Sequence, residues 1–374
     1  MIHAYSFPTE IRVGAGARKL LPEKLKSLGL ARPLLVTDRG VAAQPFLEEV
    51  AQLAGGIPVF SDMGGNPCES HVRGALAAYR AANADSIVAV GGGAPMDVAK
   101  AVAVLARNDG ALFDFAIDAN PPRIIEGPLP PILALPTTAG TGSEVGRSTV
   151  ISEDDTHRKR ILFSPGLLPR AVFADPELLV GLPRPLTAAT GMDALTHCVE
   201  AFLTVAEKNP LCDGIALEGL RLCAKYLARS CDAPEDLEAR EGMLDAALMG
   251  AVAFQKGLGA NHSCAHALST VADLHHGLAN GVMLPFVLRF NYDARPDAFA
   301  RLAAAVDAPG GDFIAWVEAL RAKIGIPAGL ATLGVSSDQT ARLARIAAAD
   351  VCTPLNPKPI AEADFKRLFD EALA

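Results

Sequence analysis

The stretch Ser86-Ile87-Val88-Ala89-Val90-Gly91-Gly92-Gly93-Ala94-Pro95-Met96-Asp97 decides the reading of the fold. Its first half is a short uncharged run, the pattern of a strand buried on both faces. Three glycines follow, then a helical pattern that continues to Arg107, with Pro95 suited to the first turn. Glycines at such a turn let the backbone approach a pyrophosphate, and the helix N-terminus offers free N–H donors. The run lacks the GxGxxG spacing, so by itself it suits a tight turn without a ligand equally well.

The same alternation extends outward. Residues 33–37, 57–60 and 131–135 read as further buried strands, and 69–82 and 96–107 as helices. Strands alternating with helices imply a mainly parallel sheet covered on both faces, with ligands at the carboxyl ends of the strands. Two more strand ends carry polar groups. Asp38 closes residues 33–37, where a carboxylate can accept hydrogen bonds from ribose hydroxyls and repel a 2′-phosphate; a turn aspartate is the plain alternative. Arg39 beside it could partly offset that repulsion. Pro136-Thr137-Thr138-Ala139-Gly140-Thr141-Gly142-Ser143-Glu144 closes the strand 131–135, and its hydroxyls suit ribose, phosphate or carboxamide.

From about residue 185 strand signals fade. Amphipathic Ala/Leu-rich stretches follow at 186–203, 210–229, 234–257, 260–271, 313–324 and 365–373. The expectation is an α/β dinucleotide-binding domain over residues 1–182, Rossmann-like with a mainly parallel sheet. An all-helical, metal-binding domain over 183–374 follows, with the active site in the cleft between them.

Composition narrows the function. With 374 residues, half of them hydrophobic, a large core is available. The net charge of −8 and the absence of a Lys/Arg block argue against nucleic acid. No basic-then-apolar leader opens the chain, and no run of about 18 apolar residues suggests a membrane span. Seven scattered cysteines without CxxC pairs suit a cytoplasmic protein.

The helical half carries the chemistry. Asp193 and His197, in Gly191-Met192-Asp193-Ala194-Leu195-Thr196-His197, are spaced i, i+4 and share a helix face. Four of the chain's 8 histidines lie at 262, 266, 275 and 276. Asp193, His197, His262 and His276 form a carboxylate-plus-imidazole set suited to Fe(II) or Zn(II), not to Ca(II) or Mg(II). His266, one turn after His262, faces the same side and reads as a proton relay or outer-layer group, while His275 points away. Unrelated surface and core histidines are the bland alternative, and four in fifteen residues weigh against it.

At these residues the chain resembles the iron-containing (group III) alcohol dehydrogenase family over nearly its whole length. The motifs are Gly91 to Lys100, Pro136 to Glu144, Gly191 to His197, and His262 to Gly277 with Leu284-Pro285 and Phe290-Asn291. The resemblance implies a dehydroquinate synthase-like architecture, NAD as cofactor, and Fe(II), with Zn(II) possible, on Asp193, His197, His262 and His276. It places His266 beside the substrate, where His266 and the ribose hydroxyls are the candidates to move the proton. It assigns the cofactor to Asp38, Asn66, Gly92, Gly93, Ala94, Asp97, Thr137, Thr138, Thr141, Ser143 and Lys159. Ala94 replaces the family's serine and Gly146 its threonine, which removes two hydroxyls on the cofactor side. The implied activity interconverts a primary or small secondary alcohol and its aldehyde or ketone, in a cytoplasmic homodimer. Relatives with other chemistry (glycerol dehydrogenase, maleylacetate reductase, dehydroquinate synthase) and a non-catalytic nucleotide-binding protein are the alternatives. A complete ligand set favours the dehydrogenase.

Overall fold

The computed structural model describes residues 7, 9–206 and 208–374, so His3 lies outside the described residues. The chain divides into two compact units: residues 9–138 with Gly142–Gly181, and Leu182–Ala374 with the short loop Ala139–Thr141.

The first unit is the α/β unit. Its elements run β1 (Glu10–Val13), α1 (Leu21–Ser27), β2 (Pro33–Val36), α2 (Arg39–Ala42), α3 (Phe46–Leu53), β3 (Val59–Phe60), α4 (Glu69–Ala81), β4 (Ser86–Gly91), α5 (Gly93–Arg107), β5 (Ile132–Pro136), β6 (Ser148–Ser152), β7 (Lys159–Phe163) and β8 (Ala171–Ala174). Six strands form one sheet in the order β1-β8-β5-β4-β2-β3, every pairing parallel. The mainly parallel sheet expected from the sequence is therefore present. Strands β2, β4, β5 and β8 are buried at every position, which is why their sequences run apolar instead of alternating.

From β2 the chain steps outward to β3, then returns past β2 to β4 and continues to β5 and β8. The order reverses between β2 and β4, the switch point where an open α/β sheet forms its crevice. Asp38 follows β2 and Gly92 follows β4, so they flank that point. Strands β1 and β8 and the antiparallel hairpin β6–β7 were not read from sequence.

The second unit is helical: α6 (Arg184–Leu203), α7 (Pro210–Asp232), α8 (Leu237–Ala253), α9 (Ala260–Ala272), α10 (His276–Asn291), α11 (Pro296–Ala305), α12 (Phe313–Ile324), α13 (Thr340–Ala348) and α14 (Glu362–Leu373). Helix α6 is the central member. From Thr187 to Leu203 every residue is buried, so it lacks a polar face and its polar residues must be satisfied inside the unit. Among the described residues no helix is long and apolar enough to cross a membrane.

Candidate functional site

Two constellations emerge, one in each unit. In the helical unit, Asp193, His197 and Glu200 project from α6, His262 and His266 from α9, and His276 and Asn280 from the first turns of α10. The approach of α10 to α6 depends on Gly277. A Cβ there would lie 2.3 Å from the Ala189 carbonyl oxygen and 3.2 Å from the Asp193 Cβ. Glycine thus brings His276 against Asp193.

The Nε2 atoms of His197, His262 and His276 lie 3.9, 3.9 and 3.5 Å from Asp193 Oδ1. These separations are too long for hydrogen bonds. Among the described residues Asp193, His262 and His276 offer donor atoms all within 4.8 Å of one another, compatible with the roughly 3.4 Å between ligands about 2.1 Å from one ion, and His197 approaches the group through Asp193 Oδ1. Donor chemistry and spacing therefore fit a Zn(II)- or Fe(II)-type ion. Asp193 and His262 are only 2 % exposed, so the donors converge away from water.

A surrounding layer fixes the ring orientations. His262 Nδ1 meets Glu200 Oε2 at 2.5 Å, and the same carboxylate accepts from the backbone N–H of Asn261 at 2.8 Å and of His262 at 3.2 Å. With its Nδ1 proton on Glu200, His262 turns the Nε2 lone pair toward Asp193, the tautomer a metal requires. Burial opposes charge on His262, but the Glu200 hydrogen bond and charge raise its pKa on balance. His197 has no such partner, and burial pushes it down to about 4, so at neutral pH it is an uncharged donor. Asn280 Nδ2 donates to Asp193 Oδ1 at 2.7 Å, and lies 3.3 and 3.2 Å from Nε2 of His262 and His276. Asn261 Nδ2, donating to Asn280 Oδ1 at 2.9 Å, sets that amide orientation.

His266 stands beside this group. Its ring stacks on His276 with centroids 5.3 Å apart, and its Nδ1 meets Asp350 Oδ2 at 2.8 Å. Burial would raise the Asp350 carboxyl, but His266 and the Cys352 N–H outweigh it and hold it well below the usual carboxylate range. The Phe254 ring lies 4.9 Å from His197. His275 caps α10 by accepting from Leu278 N. His71 caps α4, accepting from Cys68 N at 3.2 Å.

Sequence reasoning missed Glu200, Asn280 and Asp350. Two left a signal: Glu200 is i+7 from Asp193 and Asn280 is i+4 from His276, each on the face already identified. Asp350 left none, being 84 residues from His266.

In the α/β unit, the expected cofactor residues follow the carboxyl ends of neighbouring strands. Asp38 follows β2, Gly92, Gly93 and Ala94 follow β4, and Thr137 and Thr138 follow β5. The turn into α5 needs Gly91, whose φ is +148° and whose Cβ would lie 2.5 Å from Pro95 Cγ. Thr137 N donates to Gly91 O at 3.0 Å, joining the two loops.

Asp97 and Ser143 hold these loops together. Ser143 Oγ donates to Asp97 Oδ1 at 2.8 Å, and Val150 N to Asp97 Oδ2 at 3.0 Å. Lys100, 1 % exposed, donates to Ser143 O, Ser143 Oγ and Ser148 O at 2.6, 2.9 and 2.8 Å. Asp38 caps α2, accepting from Val41 N at 2.9 Å, while Arg39 is drawn into an ion pair with Asp62. Asn66 precedes α4, and Lys159 opens β7 opposite Ser152. Thr141, with Ala139 and Gly140, groups with the helical unit.

Glu144 is 2 % exposed, and its Oε1 has no hydrogen-bond partner. Burial pushes its carboxyl up to about 7 from 4.5. Its folded pKa exceeds the unfolded one, so the native state loses stability as pH rises from 4.5 through 7 and no further above. Across that window the loss is about 3 kcal/mol. Glu144→Gln removes it. Urea unfolding should show the variant gaining on the parent by that amount between pH 4.5 and 7.5. Parallel pH curves for the two proteins would refute the assignment.

Residues 8–176 match the family described as iron-containing alcohol dehydrogenase, and residues 187–373 match the Fe-containing alcohol dehydrogenase family, C-terminal. A 4-hydroxybutyrate dehydrogenase of Cupriavidus necator is 42% identical over 378 residues, 98% of each chain. The crystal structure of a 1,3-propanediol oxidoreductase, 35% identical, superposes with a TM-score of 0.93 over 100% of both chains. A sulfoacetaldehyde reductase from Bifidobacterium kashiwanohense in complex with NAD+, 29% identical, superposes with a TM-score of 0.92 over 100% of this chain and 99% of that one. The chain belongs to the iron-containing alcohol dehydrogenase family. It is accordingly an NAD-dependent alcohol oxidoreductase that uses a metal.

Proposed function

We propose that Asp193, His197, His262 and His276 hold one Fe(II), with Zn(II) as the alternative, in a cytoplasmic homodimer. The observation that carries the metal assignment is the approach of three imidazole Nε2 atoms to Asp193 Oδ1 at 3.5 to 3.9 Å. When bound, the ion supplies a Lewis acid for the substrate oxygen, and the nicotinamide takes or gives the hydride. His266 moves the hydroxyl proton. Asp38 receives the adenosine ribose, and Gly92, Gly93, Ala94, Thr137, Thr138 and Thr141 approach the phosphates and nicotinamide. Asp97 and Ser143 keep that cradle in shape. Asn66 and Lys159 complete it on the nicotinamide side.

Relatives named for 4-hydroxybutyrate and 1,3-propanediol suggest a short chain with a terminal hydroxyl as substrate. The test is a panel of such alcohols and their aldehydes, with NAD(H) and NADP(H), on protein stripped of metal and reloaded with Fe(II) or Zn(II). Metal-dependent turnover with NAD(H) is expected. Arg39 pairs with Asp62 at the surface, and Asp38 disfavours a 2′-phosphate, so Asp38→Gly should narrow the preference for NAD(H) roughly tenfold or more. A parent enzyme that favours NADP(H) would contradict the role of Asp38.

A further inference from the structure

We infer that Asp350 is the positioning residue of His266, fixing its tautomer so that Nε2 is the ring nitrogen that exchanges the substrate proton. The inference rests on the reading of His266 as the proton carrier. Asp350 belongs to the segment after α13, and that segment docks on the start of α9. Asp350 Oδ1 accepts from Cys352 N at 2.9 Å and from Ser263 Oγ at 3.2 Å. Thr353 Oγ1 in turn donates to Ser263 Oγ at 2.8 Å, and Asn356 Oδ1 accepts from Ala260 N at 3.2 Å. Three bonds thus anchor the segment on the helix that carries both His262 and His266, one of them through Asp350 Oδ1 itself, and Oδ2 is left for His266 Nδ1 at 2.8 Å.

The consequence is chemical. An ionised carboxylate only accepts hydrogen bonds, so His266 must place its proton on Nδ1. The Nε2 lone pair is then the base: it takes the alcohol proton as hydride leaves for nicotinamide, and returns it in the reverse direction. Both side chains are largely buried, at 17 % and 14 % exposed, so water competes little for the pair.

Asp350→Asn is the discriminating variant. The amide oxygen can still accept from Cys352 N and Ser263, which keeps the segment anchored. The amide nitrogen, in place of Oδ2, can only donate to Nδ1 and forces the proton onto Nε2. The expected result is a fall in kcat of about 10²-fold, with KM for NAD, metal content and melting temperature unchanged. In the His266→Ala background the same change should cost nothing more. The imidazole ¹⁵N signals of His266 in Zn(II)-loaded protein should report Nδ1–H in the parent and Nε2–H in the variant. Parental kcat in Asp350→Asn, or a loss that multiplies with that of His266→Ala, overturns the inference. So does an Nε2–H tautomer in the unmutated protein, a result that needs no variant to fold. If His266→Ala itself turns over normally, the proton-carrier reading and the catalytic part of this inference fail together. The ¹⁵N pattern still decides separately whether Asp350 sets the tautomer.

Discussion

His276→Ala leaves a folded protein that binds NAD(H) and no longer oxidises alcohol. His276 opens α10 and is the most exposed of the four donors, at 24 % against 5 % or less for the others. Its truncation therefore opens little cavity. What it removes is one of three imidazoles around Asp193. An ion left with two imidazoles and a carboxylate loses affinity, and with it the Lewis acid that contributes several kcal/mol to such reactions. Turnover should fall by about 10³-fold or more, with metal per chain dropping in parallel. His262→Ala should do the same and also cost stability, about 1–3 kcal/mol, because Glu200 is buried and loses the partner it holds at 2.5 Å. Metal analysis, alcohol-dependent NADH formation and NADH fluorescence on one preparation separate the effects. Full activity in a chelated, metal-free sample would end the metal-centre reading.

Local chemistry was legible in the sequence; spatial partnership was not. The strand-glycine-helix run at Ser86 to Asp97 announced a parallel sheet because a doubly buried strand reads as an unbroken apolar run. Asp193 and His197 were visible because i, i+4 spacing is local. Strand β8, Ala171–Ala174, has the same apolar character, but its four residues gave too short a pattern to separate from a helix or loop. The two-residue β3 is held by pairing with β2, not by its own propensity. The motif alone assigns Asp97 to the cofactor. The structure shows both its carboxylate oxygens engaged by Ser143 and Val150, partners about fifty positions away. Arg39 looked able to soften Asp38, and only the fold reveals Asp62 beside it. Turn glycines and helical spacing are written in neighbouring letters. The side chains that orient a ring arrive from elsewhere in the chain.

His266→Ala should keep its metal and lose its rate. His266 and His262 share a face of α9, with ring centroids 6.1 Å apart. Its Nδ1 is committed to Asp350; among the described residues the tight set of potential ligands is Asp193, His262 and His276, and His197 adds a fourth donor 3.9 Å from Asp193 Oδ1. Deleting the ring leaves those donors, His197, and the Glu200 and Asn280 bonds that orient them in place. Bound metal should remain at one ion per chain, and NADH affinity should be unchanged. If the ring carries the substrate proton, kcat falls by about 10²-fold or more, the usual scale of general acid–base catalysis. A packing role predicts otherwise: a lower melting temperature with little change in kcat. Near-normal turnover would remove the proton from this residue. Stoichiometric loss of metal would make His266 a ligand and exclude one of the four assigned here. The two failures are told apart by metal analysis alone, before any rate is measured.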